Sequence, residues 1–156
     1  MGLTARDVMD TCFQTLRPEM AIAEAVRIFE RAGRVSGQRI FGIMVTDASG
    51  ALVGMLSIYD IFLLLRPKHS QTWGEMQDPE LSGLLEDGCR RAREVRVGDI
   101  MTTELITITP ETHLLEIIDI MIKKHVRRLP VLQSGKIMGI VYISRVFERL
   151  LEKLAG

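Results

Sequence analysis

The amino-acid sequence repeats itself once, and this constrains the fold more than any single motif does. Asp7-Val8-Met9 recurs as Asp99-Ile100-Met101 and Pro18-Glu19 as Pro110-Glu111, both 92 residues later. Gly54-Met55-Leu56-Ser57 recurs as Gly139-Ile140-Val141-Tyr142 only 85 residues later, so the first copy holds seven extra residues between these anchors. We place the extra length in Gly33 to Arg39, a stretch rich in Gly, Ser and Arg that reads as loop. Two copies are too few for a solenoid, in which stacked neighbours must cover each other's apolar faces. They predict a pseudo-twofold pair instead.

Each copy reads as a short extended segment, an amphipathic helix, two apolar runs around a turn, and a second helix. In copy two, Leu105 to Ile108 leads into Thr109-Pro110-Glu111, read as an N-cap, a first-turn proline and an acid. Leu114, Ile117, Ile118 and Met121 then follow at helical spacing, and Lys123, Lys124 and His125 close the helix where cations complement its dipole. Leu129 to Leu132 and Lys136 to Val141 flank Ser134-Gly135, a hairpin signal. Copy one predicts a helix near Ala21 to Ala32 and strands over Ile40 to Thr46 and Ala51 to Leu56. Between the copies, Asp78-Pro79-Glu80 starts a further helix with an apolar stripe of Leu81, Leu84, Leu85, Gly88 and Ala92. Trp73 precedes that helix and has no assigned role.

Composition removes several functions. Twenty basic residues balance twenty acidic ones, which argues against a nucleic-acid binder working through bulk positive potential. The arginines of the linker are matched by its acids, and Arg90, Arg91 and Arg93 suit a helix C-terminus. Cys12 and Cys89 make neither a disulfide framework nor a zinc spacing, and His69, His113 and His125 share no ligand spacing. No apolar run approaches a membrane span and the start lacks the pattern of a signal peptide, so a cytoplasmic protein without membrane association is expected. No Gly-x-x-x-x-Gly-Lys loop occurs, and no acid, base and nucleophile converge, so an enzyme is not expected.

The residues now on the page resemble the paired cystathionine β-synthase (CBS) domain module. Copy two carries Val97-Gly98-Asp99-Ile100-Met101, Ile106-Thr107-Ile108-Thr109-Pro110, Arg128-Leu129-Pro130-Val131 and Gly139-Ile140-Val141; copy one carries Ala5-Arg6-Asp7-Val8-Met9 and Gly54-Met55-Leu56-Ser57-Ile58-Tyr59-Asp60. The resemblance implies an α/β fold of two pseudo-symmetric repeats, each β-α-β-β-α, packed sheet to sheet. It sets repeat 1 at 4–65, a linker with a helix at 66–94 and repeat 2 at 95–154. It also implies clefts between the repeats that bind adenosine-containing ligands.

The family's ligand signature is Gly, two apolar residues, Ser or Thr, two more residues, then Asp, and copy one keeps it from Gly54 to Asp60. Gly54 would allow close backbone approach, Ser57 would open a helix whose amides favour phosphate, and Asp60 would accept from ribose hydroxyls. The same Ser-x-x-Asp spacing before an apolar run is also a capping box that needs no ligand. Copy two has Tyr142 and Arg145 at the matching positions, and an arginine carries only donors. The resemblance extends the Asp60 site to Met55, Leu105, Ile106, Arg127, Arg128 and Pro130. It implies an adenine nucleotide (AMP, ADP or ATP, with S-adenosylmethionine behind them) as ligand, no required cofactor, and a homodimer acting on an effector protein. Three readings follow: an energy-sensing regulatory module with one working cleft, a ligand-free dimerisation module, and, last, an enzyme. A stripe of Val146, Phe147, Leu150, Leu151 and Leu154 supports the dimer.

Overall fold

The computed structural model describes residues 2–67 and 73–156; Lys68 and His69 lie outside them. Chain order is α1 (Ala5–Val8), β1 (Thr15–Leu16), α2 (Ile22–Ser36), β2 (Gly42–Thr46), β3 (Leu52–Ser57), α3 (Ile58–Leu65), a 3-10 turn (Trp73–Glu75), α4 (Asp78–Ala92), α5 (Val97–Ile100), α6 (Leu114–Lys124), β4 (Arg128–Gln133), β5 (Lys136–Tyr142) and α7 (Ile143–Ala155). The sheets are β1-β2-β3, with β1 parallel to β2, and the antiparallel pair β4-β5. In copy two the first strand shrinks to a single parallel bridge, Ile108 to Val131. Ser134 and Gly135 both take positive φ, as a two-residue hairpin turn demands.

Packing divides the chain differently from the sequence. One compact unit comprises Met1–Phe13, Ser49–Leu52 and Glu104–Gly156, the other Gln14–Ala48 and Val53–Thr103. Val8, Ile108, Leu114, Ile117, Leu129, Val131 and Val141 build the first core, and Leu16, Ile22, Ala25, Ile43, Val45, Leu56 and Val97 the second. The opening segment of each copy is therefore exchanged into the unit built on the other. Hydrogen bonds show how. In the first unit Ala5 donates to the Thr112 carbonyl (2.8 Å), Arg6 to that of Pro110 (3.0 Å), and Leu114 to that of Leu3 (2.9 Å). In the second, Val97 donates to Met20 (2.8 Å), Gly98 to Pro18 (2.9 Å), and Ile22 to Val95 (2.8 Å), the same three bonds one repeat over.

This exchange accounts for one departure from the sequence reading. Thr109-Pro110-Glu111 does not begin α6. Residues Thr109 to Thr112 form a turn closed by the Thr112 amide on the Thr109 carbonyl (3.1 Å), while the carbonyls of Pro110 and Thr112 serve the exchanged segment. The helix starts at Leu114, capped by His113, whose Nδ1 accepts the Leu115 amide at 3.0 Å. A second departure concerns residues 33–39: α2 runs on through Gly33 to Ser36 and stops at Gly37, which holds a left-handed φ of 73°. Most of the extra length of copy one is helix, because Arg34, Val35 and Ser36 do not break it and only Gly37 supplies the stop.

Candidate functional site

The Gly54-to-Asp60 segment joins β3 to α3. Ser57 is the N-cap, with φ −109° and ψ 162°, and its hydroxyl accepts the Asp60 amide at 3.3 Å. Asp60 Oδ2 answers by accepting the Ser57 amide at 2.9 Å and its hydroxyl at 3.1 Å. The capping box is thus fully formed by the chain itself, and Ser57 and Asp60 both stay half-buried. Asp60 Oδ1 meets one more group, the Thr102 hydroxyl, at 3.5 Å, the long limit of a hydrogen bond. Thr102 arrives on the exchanged segment, and its backbone is fixed against Met55 by two bonds of 2.9 Å. The structure corrects one role here: the room left by Gly54 is used by the chain. A Cβ on Gly54 would sit 2.6 Å from the Met101 sulfur and 3.1 Å from the Thr102 carbonyl. Met55 is buried beneath this point.

The other unit carries the counterpart, where β5 enters α7. Tyr142 is the N-cap and makes no side-chain cap bond. Arg145 holds Asp10 through Nε at 3.2 Å and Glu148 through Nη1 at 3.1 Å. The Asp10 charge, ahead of all other causes, lifts the Arg145 pKa above the ordinary arginine value. Burial, reinforced by Asp10 and opposed by Arg128, raises the Tyr142 phenol above its usual 10. Asp10 comes from the exchanged opening segment and pairs through its backbone with Ile140 at 2.8 and 3.0 Å. Gly139 permits that approach, since a Cβ there would lie 2.6 Å from the Asp10 carbonyl oxygen.

The remaining residues singled out by sequence also fall in this first unit. Arg127 is exposed and its carbonyl accepts the Ile143 amide at 2.8 Å, whereas Arg128 opens β4 half-buried opposite Tyr142. Leu105 and Ile106 are half-buried, and Ile106 packs on the core. The Pro130 ring is fully buried, and its carbonyl accepts the Ile108 amide at 3.0 Å. Sequence reasoning missed Thr102 and Asp10. The signal was present, because each directly follows the repeated methionine, Met101 or Met9. Among the described residues no cluster of His, Cys, Asp and Glu could hold a metal ion, and no helix is long and apolar enough to cross a membrane.

A family model of the CBS domain matches residues 5–66 and 97–152. The chain belongs to the CBS domain family. Its CBS pair is 26% identical over 144 residues to CBSX1, chloroplastic, of Arabidopsis thaliana, covering 88% of this chain and 58% of that protein. A stretch of 59 residues is 41% identical to the mitochondrial CBSX3 of the same plant, 36% of this chain and 29% of that protein. The CBS pair thus spans well under two thirds of the length of these two relatives. The solved structure of Arabidopsis CBSX2 superimposes with a TM-score of 0.71 at 25% identity, covering 100% of this chain and 99% of that one. CBSX2 solved in complex with AMP gives a TM-score of 0.68, also at 25% identity, over 98% and 99% of the two chains.

Proposed function

We propose that this CBS pair is a regulatory module that binds one adenine nucleotide through the Ser57–Asp60 end of α3 and acts by binding, not by catalysis. The observation that carries the reading is the Asp60 carboxylate, half-buried at a helix start and lightly engaged on Oδ1 by Thr102 at 3.5 Å. A ribose diol offers the donors this oxygen takes, and the CBS resemblance assigns the phosphate to Arg127 or Arg128. The AMP complex of CBSX2, whose solved chain is matched over 99% of its length, supports the ligand class. The CBS resemblance assigns Leu105 and Ile106 the apolar and backbone contacts to adenine, and adds Met55 and Pro130 to the proposed site. The nucleotide is AMP, ADP or ATP in preference to S-adenosylmethionine, and no cofactor is needed.

Assembly is part of the same reading. Tyr59, Phe62 and Leu63 on α3 and Phe147, Leu151 and Leu154 on α7 are exposed, an apolar supply suited to a homodimer that would relay ligand state to an effector protein. Both cysteines are free and exposed, in keeping with a reducing compartment such as the cytoplasm.

The ligand-free dimerisation module remains the second reading, and the completed capping box favours it, since Ser57 and Asp60 already satisfy each other. A thermal-shift panel of AMP, ADP, ATP, S-adenosylmethionine and GTP separates the two. A nucleotide at about a hundred times its Kd should stabilise the chain by about 2.7 kcal/mol. No shift with any adenosine compound leaves the capping box as the whole explanation of Ser57 and Asp60.

A further inference from the structure

The two helix entries share a contact that their sequences disguise. On α3 the last signature position is Asp60 and on α7 it is Arg145, and in each unit that residue meets the residue after the repeated methionine on the exchanged segment. The polarity is reversed between the units. In one, Thr102 donates to the helix carboxylate; in the other, the helix guanidinium donates to Asp10. We propose that the position after the methionine decides whether a half-site accepts a ribose: Thr102 permits it, and Asp10 forbids it even where the helix signature is restored. The proposal rests on the nucleotide reading above.

The chemistry follows from the donor and acceptor inventory. A cis-diol presents two hydroxyl hydrogens to a carboxylate, and a neighbouring hydroxyl such as that of Thr102 can turn to donate or accept as the ligand requires. A carboxylate in place of Thr102 would face Asp60 at close range, and two like charges there would hold one another apart or take up a proton. In the α7 unit the conflict is avoided because Asp10 is matched by Arg145, with side chains 27% and 36% exposed. That pairing satisfies the half-site from within and leaves guanidinium donors where a diol needs acceptors. Arg145 and Asp10 therefore act as one choice. Replacing only Arg145 with an acid would set two carboxylates against each other instead of rebuilding a ribose site.

Calorimetry of the full chain, titrated separately with AMP and with ATP, tests this. The unmodified protein should bind one nucleotide. Thr102→Asp should weaken that binding at least about a hundredfold while leaving Ser57 and Asp60 in place, and Thr102→Ser should stay within about threefold, as expected if one hydroxyl is needed and a second carboxylate is not tolerated. The double variant Tyr142→Ser/Arg145→Asp should still bind one nucleotide, whereas adding Asp10→Thr should raise the stoichiometry to two. Circular dichroism on each variant checks the fold, and the Thr102 pair decides the matter on its own should the triple variant not fold. Unchanged affinity in Thr102→Asp, a second site in the double variant, or a single site in a folded triple variant overturns the proposal while leaving the nucleotide reading standing. An unmodified protein that binds neither nucleotide overturns both.

Discussion

The entries to α3 and α7 start from the same backbone plan and end in different chemistry. Both follow a strand, both have an extended N-cap residue, and both are crossed by an exchanged segment held by a two-bond bridge, Thr102 on Met55 and Asp10 on Ile140. At α3, Ser57 and Asp60 cap the helix and the crossing segment makes only a 3.5 Å side-chain contact. At α7 no side chain caps the helix, and the crossing segment is tied by a 3.2 Å ion pair. The difference teaches that a repeat can keep its geometry while changing its chemistry: one entry keeps a lightly engaged acceptor, and the other has spent its charges on an ion pair.

The sharpest way to break the comparison is Asp60→Ala. Two charge-assisted ribose bonds at about 1.5 to 3 kcal/mol each imply a loss of roughly two to four powers of ten in nucleotide affinity, against a capping loss of only about 1 kcal/mol in stability. Calorimetry beside chemical denaturation reads both numbers. An equal loss in the two would make Asp60 a cap and nothing more.

Next in size is the pair of crossing-point glycines. Gly139→Ala places a Cβ 2.6 Å from a backbone oxygen, that of Asp10, so the bridged chain itself must move; about 1 to 3 kcal/mol is the expected cost. Gly54→Ala first meets the end of a flexible side chain, the Met101 sulfur at 2.6 Å, and should cost less. Denaturation midpoints of the two variants rank them. The reverse order would mean that the α3 crossing is the more rigid.

Smaller effects separate the charges. Arg145→Ala removes two partly exposed ion pairs, to Asp10 and Glu148, and should lower stability by no more than about 1 kcal/mol, diminishing further as salt is added. Tyr142 gives an alkaline signature. Its phenol is raised in the folded chain, first by burial and then by Asp10, so the stability tied to its neutral form is complete below pH 10 and declines as pH climbs from 10 through the raised value. Tyr142→Phe should remove that decline in alkaline unfolding curves. Asp10→Asn should remove only part of it, because burial is the larger cause.

Local signals in the sequence were enough for the elements. Ser134-Gly135 forms its hairpin turn, Leu114, Ile117 and Met121 line the buried face of α6, and Pro79 starts α4 as a first-turn proline should. The error at the start of α6 came where distant chain decides. Thr109 has every local mark of an N-cap, yet carbonyls at Pro110 and Thr112 are claimed by Ala5 and Arg6, about a hundred residues away in sequence. The site was half legible for the same reason. Ser57 and Asp60 lie in one motif, while Thr102 and Asp10 matter only because the opening segments cross over, which no spacing rule within a copy reveals. Gly54 was rightly seen as a place of close approach, but what approaches is Met101 and Thr102.

The crossover also sets a timetable for the nascent chain. Residues 14–48 and 53–103 emerge in order and hold their own core, so that unit can close as it leaves the ribosome. The opening thirteen residues cannot, since the surface that receives Leu3, Ala5 and Val8 lies beyond residue 104. At ~5–20 residues per second this leaves Leu3, Ala5 and Val8 waiting roughly 5 to 20 seconds for their acceptor. During that interval Leu3, Ala5 and Val8 have no core of their own chain to enter.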